Sequence, residues 1–309
     1  MKNSNYRTER NRTWVMLIVP GLLLLPLIFT SLGYGQGRAG RKTSKPAKKT
    51  STSSPKTTAT PEASTTAQPG TANVPADTTK PGTVMSNQLG MEFAYIPSGS
   101  FVMGSDKGGA DERPARRVAI RKGYYMGRYE ITQAQWRMVM GTEPSNFKGC
   151  DDCPVEQVSW TEALVFIKKL NERNDAFSYR LPTESEWEYA CHAQMTGESM
   201  GALDALAWYF NNSANKTHPV GEKQANAWGL YDMLGNVWEW CEDVYHDSYK
   251  GAPTDGSAWL KGGDQRYRVM RGGSWIDNGF YCRVNERIRA MPDTRQRNSG
   301  LRLVAVARQ

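Results

Sequence analysis

Metal-binding side chains are scarce in this chain: 309 residues carry five cysteines and three histidines. His192, His218 and His246 stand far apart and form no short ligand-spacing motif. Each reads as a structural or surface residue, and a non-haem iron centre is not expected, although spacing alone does not exclude a site assembled in three dimensions. Cys150-Asp-Asp-Cys153 has no second Cys-x-x-Cys to complete a four-thiolate zinc site. Its loop setting favours a small local disulfide over a redox motif.

Acids are short in the first quarter of the chain. Residues 1–83 hold three Asp and Glu against twelve Lys and Arg, which leaves 28 acidic against 27 basic residues from Val84 onward. The basic character therefore belongs to the N-terminal tail, and the remainder offers no electrostatic case for nucleic-acid binding.

One long uncharged run stands out. Lys2, Arg7, Arg10 and Arg12 precede Trp14 to Gly33, about 20 apolar or neutral residues, a length that can cross a bilayer. Leading basic residues hold the N-terminus in the cytoplasm and send the rest outward, so residues 1–35 read as a signal peptide or an N-terminal inner-membrane anchor. Pro20, Pro26 and the small-x-small end Gly33-Tyr34-Gly35 favour cleavage. The absence of a cysteine after the run argues against a lipoprotein. The expected location is exported and periplasmic or extracytoplasmic, either secreted or anchored by residues 14–33.

Residues 36–83 are Lys, Thr, Ser, Pro, Ala and Gly with almost no large apolar side chains. Such a segment cannot bury enough surface to offset its ordering entropy and reads as a disordered linker reaching about 35–40 Å. A spacer is the simplest role; a tether through a cell-wall layer or a basic arm on an anionic polymer is the alternative.

Residues 84–309 form the expected folded domain, with ordered chain from near Met91. FAYIP and GSFVMG read as short strands joined by a Pro-Ser-Gly turn. Three helices carry capping boxes: Thr132 with Gln135 opens Gln133 to Met140, which Gly141 ends; Ser159 with Glu162 opens Trp160 to about Arg173; Thr183 with Glu186 opens Glu184 to about Ala193. Ala163, Phe166, Ile167 and Leu170 share one face of the second helix and read as core. From Thr196 to Trp275, Gly, Asn and aromatics dominate, and loops are expected until the buried strand Leu301 to Ala307.

Within those loops lies Ala227 to Asp243, AWGLYDMLGNVWEWCED. Asp232 and Glu239 are hard oxygen donors bracketing a Gly235-Asn236 turn, so a calcium ion can staple it. On spacing alone the simpler reading is an aromatic strand with buried indoles and solvated acids.

The order of YEITQAQW (129–136), PVEQVSW (154–160), RLPTESEWEYA (180–190), THPVG (217–221), GLYDMLGNVWEW (229–240), RGGSW (271–275) and the closing NSGLRL resembles the sulfatase-modifying-factor, or formylglycine-generating-enzyme, family. The resemblance runs unbroken from about Met91 to Ala307. It implies an irregular α/β (α+β) domain, the formylglycine-generating-enzyme fold with distant C-type-lectin similarity, low in regular secondary structure. It also implies calcium, held by the carboxylates of Asp232 and Glu239 and the carbonyls of Gly235 and Val237. The segment Asn211 to Val220 is too short to transfer a second family calcium site.

The family's named reaction oxidises a client cysteine to formylglycine and uses two cysteines with four residues between them, the soft pair that holds Cu(I). Here Cys282 stands alone. Aligned without gaps from Ser274, Asp277 takes the first position and Cys282 the second; aligned backward from Pro292-Asp293, Cys282 falls beyond both, and under either alignment the pair is missing. Copper is therefore not expected. In an exported domain one further disulfide is expected among Cys191, Cys241 and Cys282, and the sequence does not choose the pair; the resemblance suggests Cys191 with Cys282, because a family bridge ties the position matching Cys191 to a site just after Cys282. Two readings follow. One is a calcium-pinned extracytoplasmic binding or accessory module, with a protein or peptide partner in the cell envelope and no formylglycine-generating activity. The other is an oxidoreductase acting on a protein or peptide, with Cys282 as its thiol and Arg283 or Arg287 positioning the substrate backbone.

Overall fold

The computed structural model describes residues 80–193 and 203–308. The expected membrane segment and nearly all of the linker lie outside them. No helix among the described residues is long and apolar enough to cross a membrane.

In chain order the elements are β1 (Val84–Ser86), β2 (Glu92–Ile96), β3 (Gly99–Met103), β4 (Arg116–Ile120), β5 (Tyr124–Gly127), α1 (Gln133–Met140), α2 (Trp160–Glu172), β6 (Phe177–Arg180) and α3 (Glu184–His192). There follow α4 (Leu203–Leu206), β7 (Ala207–Trp208), β8 (Leu234–Gly235), β9 (Trp238–Tyr245), β10 (Asp264–Arg271), β11 (Arg287–Ala290), β12 (Ser299–Gly300) and β13 (Val304–Ala307). A five-stranded sheet runs β1-β2-β5-β13-β6 and a four-stranded sheet β11-β10-β9-β12, with two-stranded ribbons β3-β4 and β7-β8. Short strands, few helices and long connections make this an irregular α+β fold.

The helices form where their caps place them. In α1, α2 and α3 the N-cap hydroxyl accepts from the amide three residues on, while that residue's side chain accepts from the N-cap amide. Gly141, at φ 73°, ends α1 in the left-handed region that a glycine enters without strain. The face of α2 expected as core is buried throughout, and Phe166 stacks on Trp136 of α1 at 5.1 Å.

Two expectations are corrected. Pairing starts before Met91, because β1 already lies antiparallel to β2, with Val84 opposite Ala94. β2 and β3 form as expected on either side of their turn, which carries the chain from the large sheet to the ribbon with β4. Most important, the stretch expected as loops contains the two longest strands, β9 and β10, eight residues each. β9 is the aromatic strand, and Trp238 and Trp240 are buried in it. Its acids are not solvated: Glu239 and Asp243 are as buried as the indoles. An interior carboxylate is tolerated only with a counter-charge or several donors, and these come from distant parts of the chain.

Candidate functional site

The RGGSW turn leaves β10 through Gly272 and Gly273, at φ 103° and 81°. A Cβ at Gly273 would sit 2.7 Å from the Cys282 sulfur, so only glycine lets the two ends of this loop close. Cys282 is buried, and burial, with a smaller contribution from Asp277, pushes its thiol up to about 12. At neutral pH it is a thiol, whereas soft metal ligation and nucleophilic attack both need the thiolate.

Asp277, at the place expected for a partner cysteine, is built into the turn. Its Oδ2 accepts from Trp238 Nε1 at 2.8 Å and from Ser274 Oγ, while its carbonyl accepts from the amide of Phe210 at 2.9 Å. Burial raises its carboxyl above the ordinary range. Beside the turn, Phe280 and Phe210 are 64% and 56% exposed, large apolar side chains left in solvent. The remaining free cysteines, Cys191 and Cys241, are buried, with burial raising both thiols. No two-thiolate copper set is present at this turn.

The two arginines expected to position a substrate backbone are otherwise engaged. Arg287 is buried: it is 2% exposed, its Nε and Nη2 bind Glu184 at 2.7 and 2.8 Å, and Nη1 donates to the carbonyls of Asp111 and His246. Arg283 reaches the surface, but its guanidinium spans Glu112 and Glu286 and its Nε donates to Phe280 O at 2.7 Å. Both arginines hold the loop in shape. Arg271, fully buried, joins them by pairing with Glu184 at 2.8 Å and Glu188 at 2.6 Å.

The Asp232 turn brings three acids together. Asp232, Gly235 and Asn236 all have positive φ, and Asn236 Nδ2 and the Val237 amide donate to Glu130 at 2.7 and 2.9 Å. Glu239 gives both oxygens to Arg302, at 2.7 to 3.0 Å, and Oε2 also accepts from Trp187 Nε1 at 2.6 Å. Asp232 Oδ2 accepts from the Gly221 amide at 2.7 Å, whereas its Oδ1 is buried with no partner. Burial pushes Asp232 up to about 6; burial, then Asp232 and Glu239, holds Glu130 well above the usual carboxylate range.

One guanidinium thus faces three interior carboxylates. An added hard cation suits this charge imbalance, and the orphaned Asp232 oxygen is a free donor for it. Glu239 differs from expectation: it is near Asp232, but its carboxylate is committed to Arg302. Among the described residues no group of three or more His, Cys, Asp or Glu side chains converges as a metal cage.

The sulfatase-modifying factor enzyme 1-like domain model matches residues 80–307. The chain belongs to this sulfatase-modifying-factor family. A formylglycine-generating enzyme from Streptomyces coelicolor is 33% identical over 200 residues, covering 56% of this chain and 58% of that enzyme. The chain thus spans little more than half of that enzyme's length. Chaperone protein LppX from Paenibacillus barcinonensis is 32% identical over 209 residues, 50% of this chain and 70% of that protein. The structure of PvdO from Pseudomonas aeruginosa superposes with a TM-score of 0.66 at 28% identity, covering 73% of this chain and 98% of that one.

In this member of the family Cys150 and Cys153 form the local disulfide. Its loop caps α1: the amides of Gln133 and Ala134 donate to the carbonyls of Cys153 and Asp151 at 2.9 and 3.0 Å. The suggested Cys191–Cys282 bridge is not made, since both are free thiols. Cys191 lies on α3 within the core, while the Cys282 sulfur is packed against Gly273. The histidines are dispersed: His218 stacks on Trp208, His246 on Trp259, and His192 lies beside Phe101.

Sequence reasoning missed Glu130, Glu184, Glu188, Arg271 and Arg302. Each sits inside a family motif, YEIT, RLPTESEWEYA, RGGSW or NSGLRL, so the signal was an ionisable residue inside an otherwise aromatic or glycine-rich motif.

Proposed function

We propose that this chain is a non-catalytic member of the sulfatase-modifying-factor family, an exported accessory or binding module without formylglycine-generating activity. The observation that carries the reading is the turn at 273–282, where a buried, protonated Cys282 has a hydrogen-bonded Asp277 in place of a second thiol. A hard carboxylate beside one neutral thiol is a poor Cu(I) set. Phe210 and Phe280, exposed beside the turn, suit a protein or peptide partner in the cell envelope. The family relative named as a chaperone protein supports an accessory role for the fold. The uncharged run at 14–33 supports export, with the domain on the outer side of the inner membrane.

Calcium belongs to the same proposal. Asp232, with the carbonyls of Gly235 and Val237, would hold it, and its charge would offset the buried carboxylates around Arg302.

The test is to incubate the purified full-length protein with copper and a peptide carrying Cys-x-Pro-x-Arg, following peptide mass. No aldehyde is expected. Efficient conversion that Cys282→Ser abolishes would overturn the reading and establish a one-cysteine oxidoreductase.

A further inference from the structure

Where β9 ends and β10 begins, the surface holds an open cleft of about 490 Å³. It lies at the opposite end of β9 from the 273–282 turn. That turn contacts Trp238, the first residue of β9, whereas the cleft starts at His246, just past the last. The cleft is lined by none of the turn's residues, although Arg287 reaches the His246 carbonyl, and the inference drawn from it does not rest on the reading of the turn.

Its lining is polar apart from Trp259 and a glycine: His246, Asp247, Lys250, Asp264 and Arg266 contribute most of the rest. An apolar ligand or a hydrophobic peptide anchor would find no aliphatic wall. The charges also balance. Arg266 is held bidentate by Asp264 at 2.9 and 2.7 Å, while Lys250 and Asp247 carry opposite signs. No unneutralised cluster of cations remains to select a phosphate or a polycarboxylate.

The aromatic plate is fixed in advance. Trp259 lies flat on His246, with ring centroids 3.3 Å apart and planes 5° from parallel. Its amide donates to Asp243 at 2.7 Å and its carbonyl accepts from the Val244 amide at 3.1 Å, so its backbone is tied to β9 on both sides. His246 serves as a support. Its Nδ1 lies 3.0 Å from Val244 O and its Nε2 3.1 Å from Lys261 O, so whichever nitrogen carries the proton donates to a backbone carbonyl and fixes the ring.

We propose that this cleft binds a neutral oligosaccharide. A sugar ring presents a C–H face that packs on an indole, and hydroxyls that both donate and accept. Trp259 supplies the plate, Asp247 an acceptor and Lys250 a donor. A plate already held in place spares the ordering cost that otherwise weakens polar recognition.

The test is calorimetric titration of the full-length protein with chitotetraose, cellotetraose and maltotetraose, with an oligogalacturonide as the anionic comparison. Saturable binding of at least one neutral tetramer is expected, weakened about tenfold or more in Asp247→Ala/Lys250→Ala, whose side chains are at the surface. Trp259→Ala should abolish it, with a melting curve to confirm folding. No saturable heat from any neutral tetramer, tighter binding of the oligogalacturonide, or unchanged affinity in the double variant would each overturn the assignment.

Discussion

Replacing Asp277 by cysteine would restore the family's thiol pair on paper, and the structure says what that change does to the fold. Oδ2 accepts from Trp238 Nε1 at 2.8 Å and from Ser274 Oγ. A thiol is a weak acceptor, so the Trp238 N–H, on a residue 2% exposed, loses its partner. An unsatisfied buried donor costs about 1–3 kcal/mol, and hydrogen bonds to a charged group are worth about 1.5–3 kcal/mol each, with the two terms overlapping here. About 2–3 kcal/mol is the net expectation. In a domain of this size each kcal/mol moves the melting temperature by about 2–4 °C, so Asp277→Cys should melt about 5–10 °C lower. Asp277→Asn keeps one acceptor oxygen and should lose less than half of that. The assay is thermal unfolding followed by near-ultraviolet circular dichroism, which reads the tryptophans directly. Equal melting temperatures for wild type and Asp277→Cys would refute the claim that this residue is a structural latch.

If calcium binds at Asp232, a hundredfold excess over Kd should stabilise the fold by about 2.7 kcal/mol, and Asp232→Ala should remove the effect. A melting curve indifferent to chelator would delete calcium from the account. Asp243 is pushed up to about 7, by burial first and Glu184 second, from an ordinary value of 3.8. The folded state therefore holds this proton more tightly than the unfolded chain. Its stabilising share is full below about pH 4 and is lost as pH rises towards 7, by up to about 4 kcal/mol. Urea unfolding at pH 5 and pH 8 should show this slope flattened in Asp243→Asn, and an unaltered slope would contradict it. Arg287→Met strands Glu184 in the interior beside the remaining Arg271 and should cost about 3–5 kcal/mol. A surface-like loss below about 1 kcal/mol would return Arg287 to the substrate-facing role.

What could be read from the sequence was what is decided locally. A capping box closes within four residues, so α1, α2 and α3 could be placed to within a residue or two before any tertiary contact was known. The Cys150–Cys153 disulfide was legible for the same reason, its partners being three residues apart. β9 was legible as an aromatic strand with buried indoles, but its interior acids were not, because Glu239 and Asp243 look solvent-facing from their neighbours. What makes Glu239 an interior residue is Arg302, which lies 63 positions away. The same distance problem hid the character of Arg287: from its neighbours it is a free cation near a thiol, whereas its charge is spent on Glu184, 103 positions upstream. Asp232 was half legible. Its turn is local, but Glu130 and Gly221, which set its charge environment, come from other parts of the chain.

The 273–282 turn is held together by parts that owe nothing to a second thiol. Gly272 and Gly273 set the backbone reversal, Asp277 ties the loop to Trp238 and to the Phe210 amide, and Arg271, at the end of β10, anchors its base on Glu184 and Glu188. Cys282 contributes volume against Gly273 and no charge at neutral pH. A turn so built keeps its shape whether or not it performs chemistry, so loss of a catalytic pair carries little structural penalty. What such a turn retains is a rigid display of exposed apolar side chains, Phe280 within it and Phe210 hydrogen-bonded to it. Rigid display without a reactive thiolate is what a docking surface requires. If partner binding is the retained function, Phe280→Ser should abolish capture of the partner while leaving the melting temperature within about 1 °C, because that ring contributes little burial to the fold. Loss of binding only when Asp277 is changed, with Phe280→Ser neutral, would instead assign the partner to the turn's polar backbone.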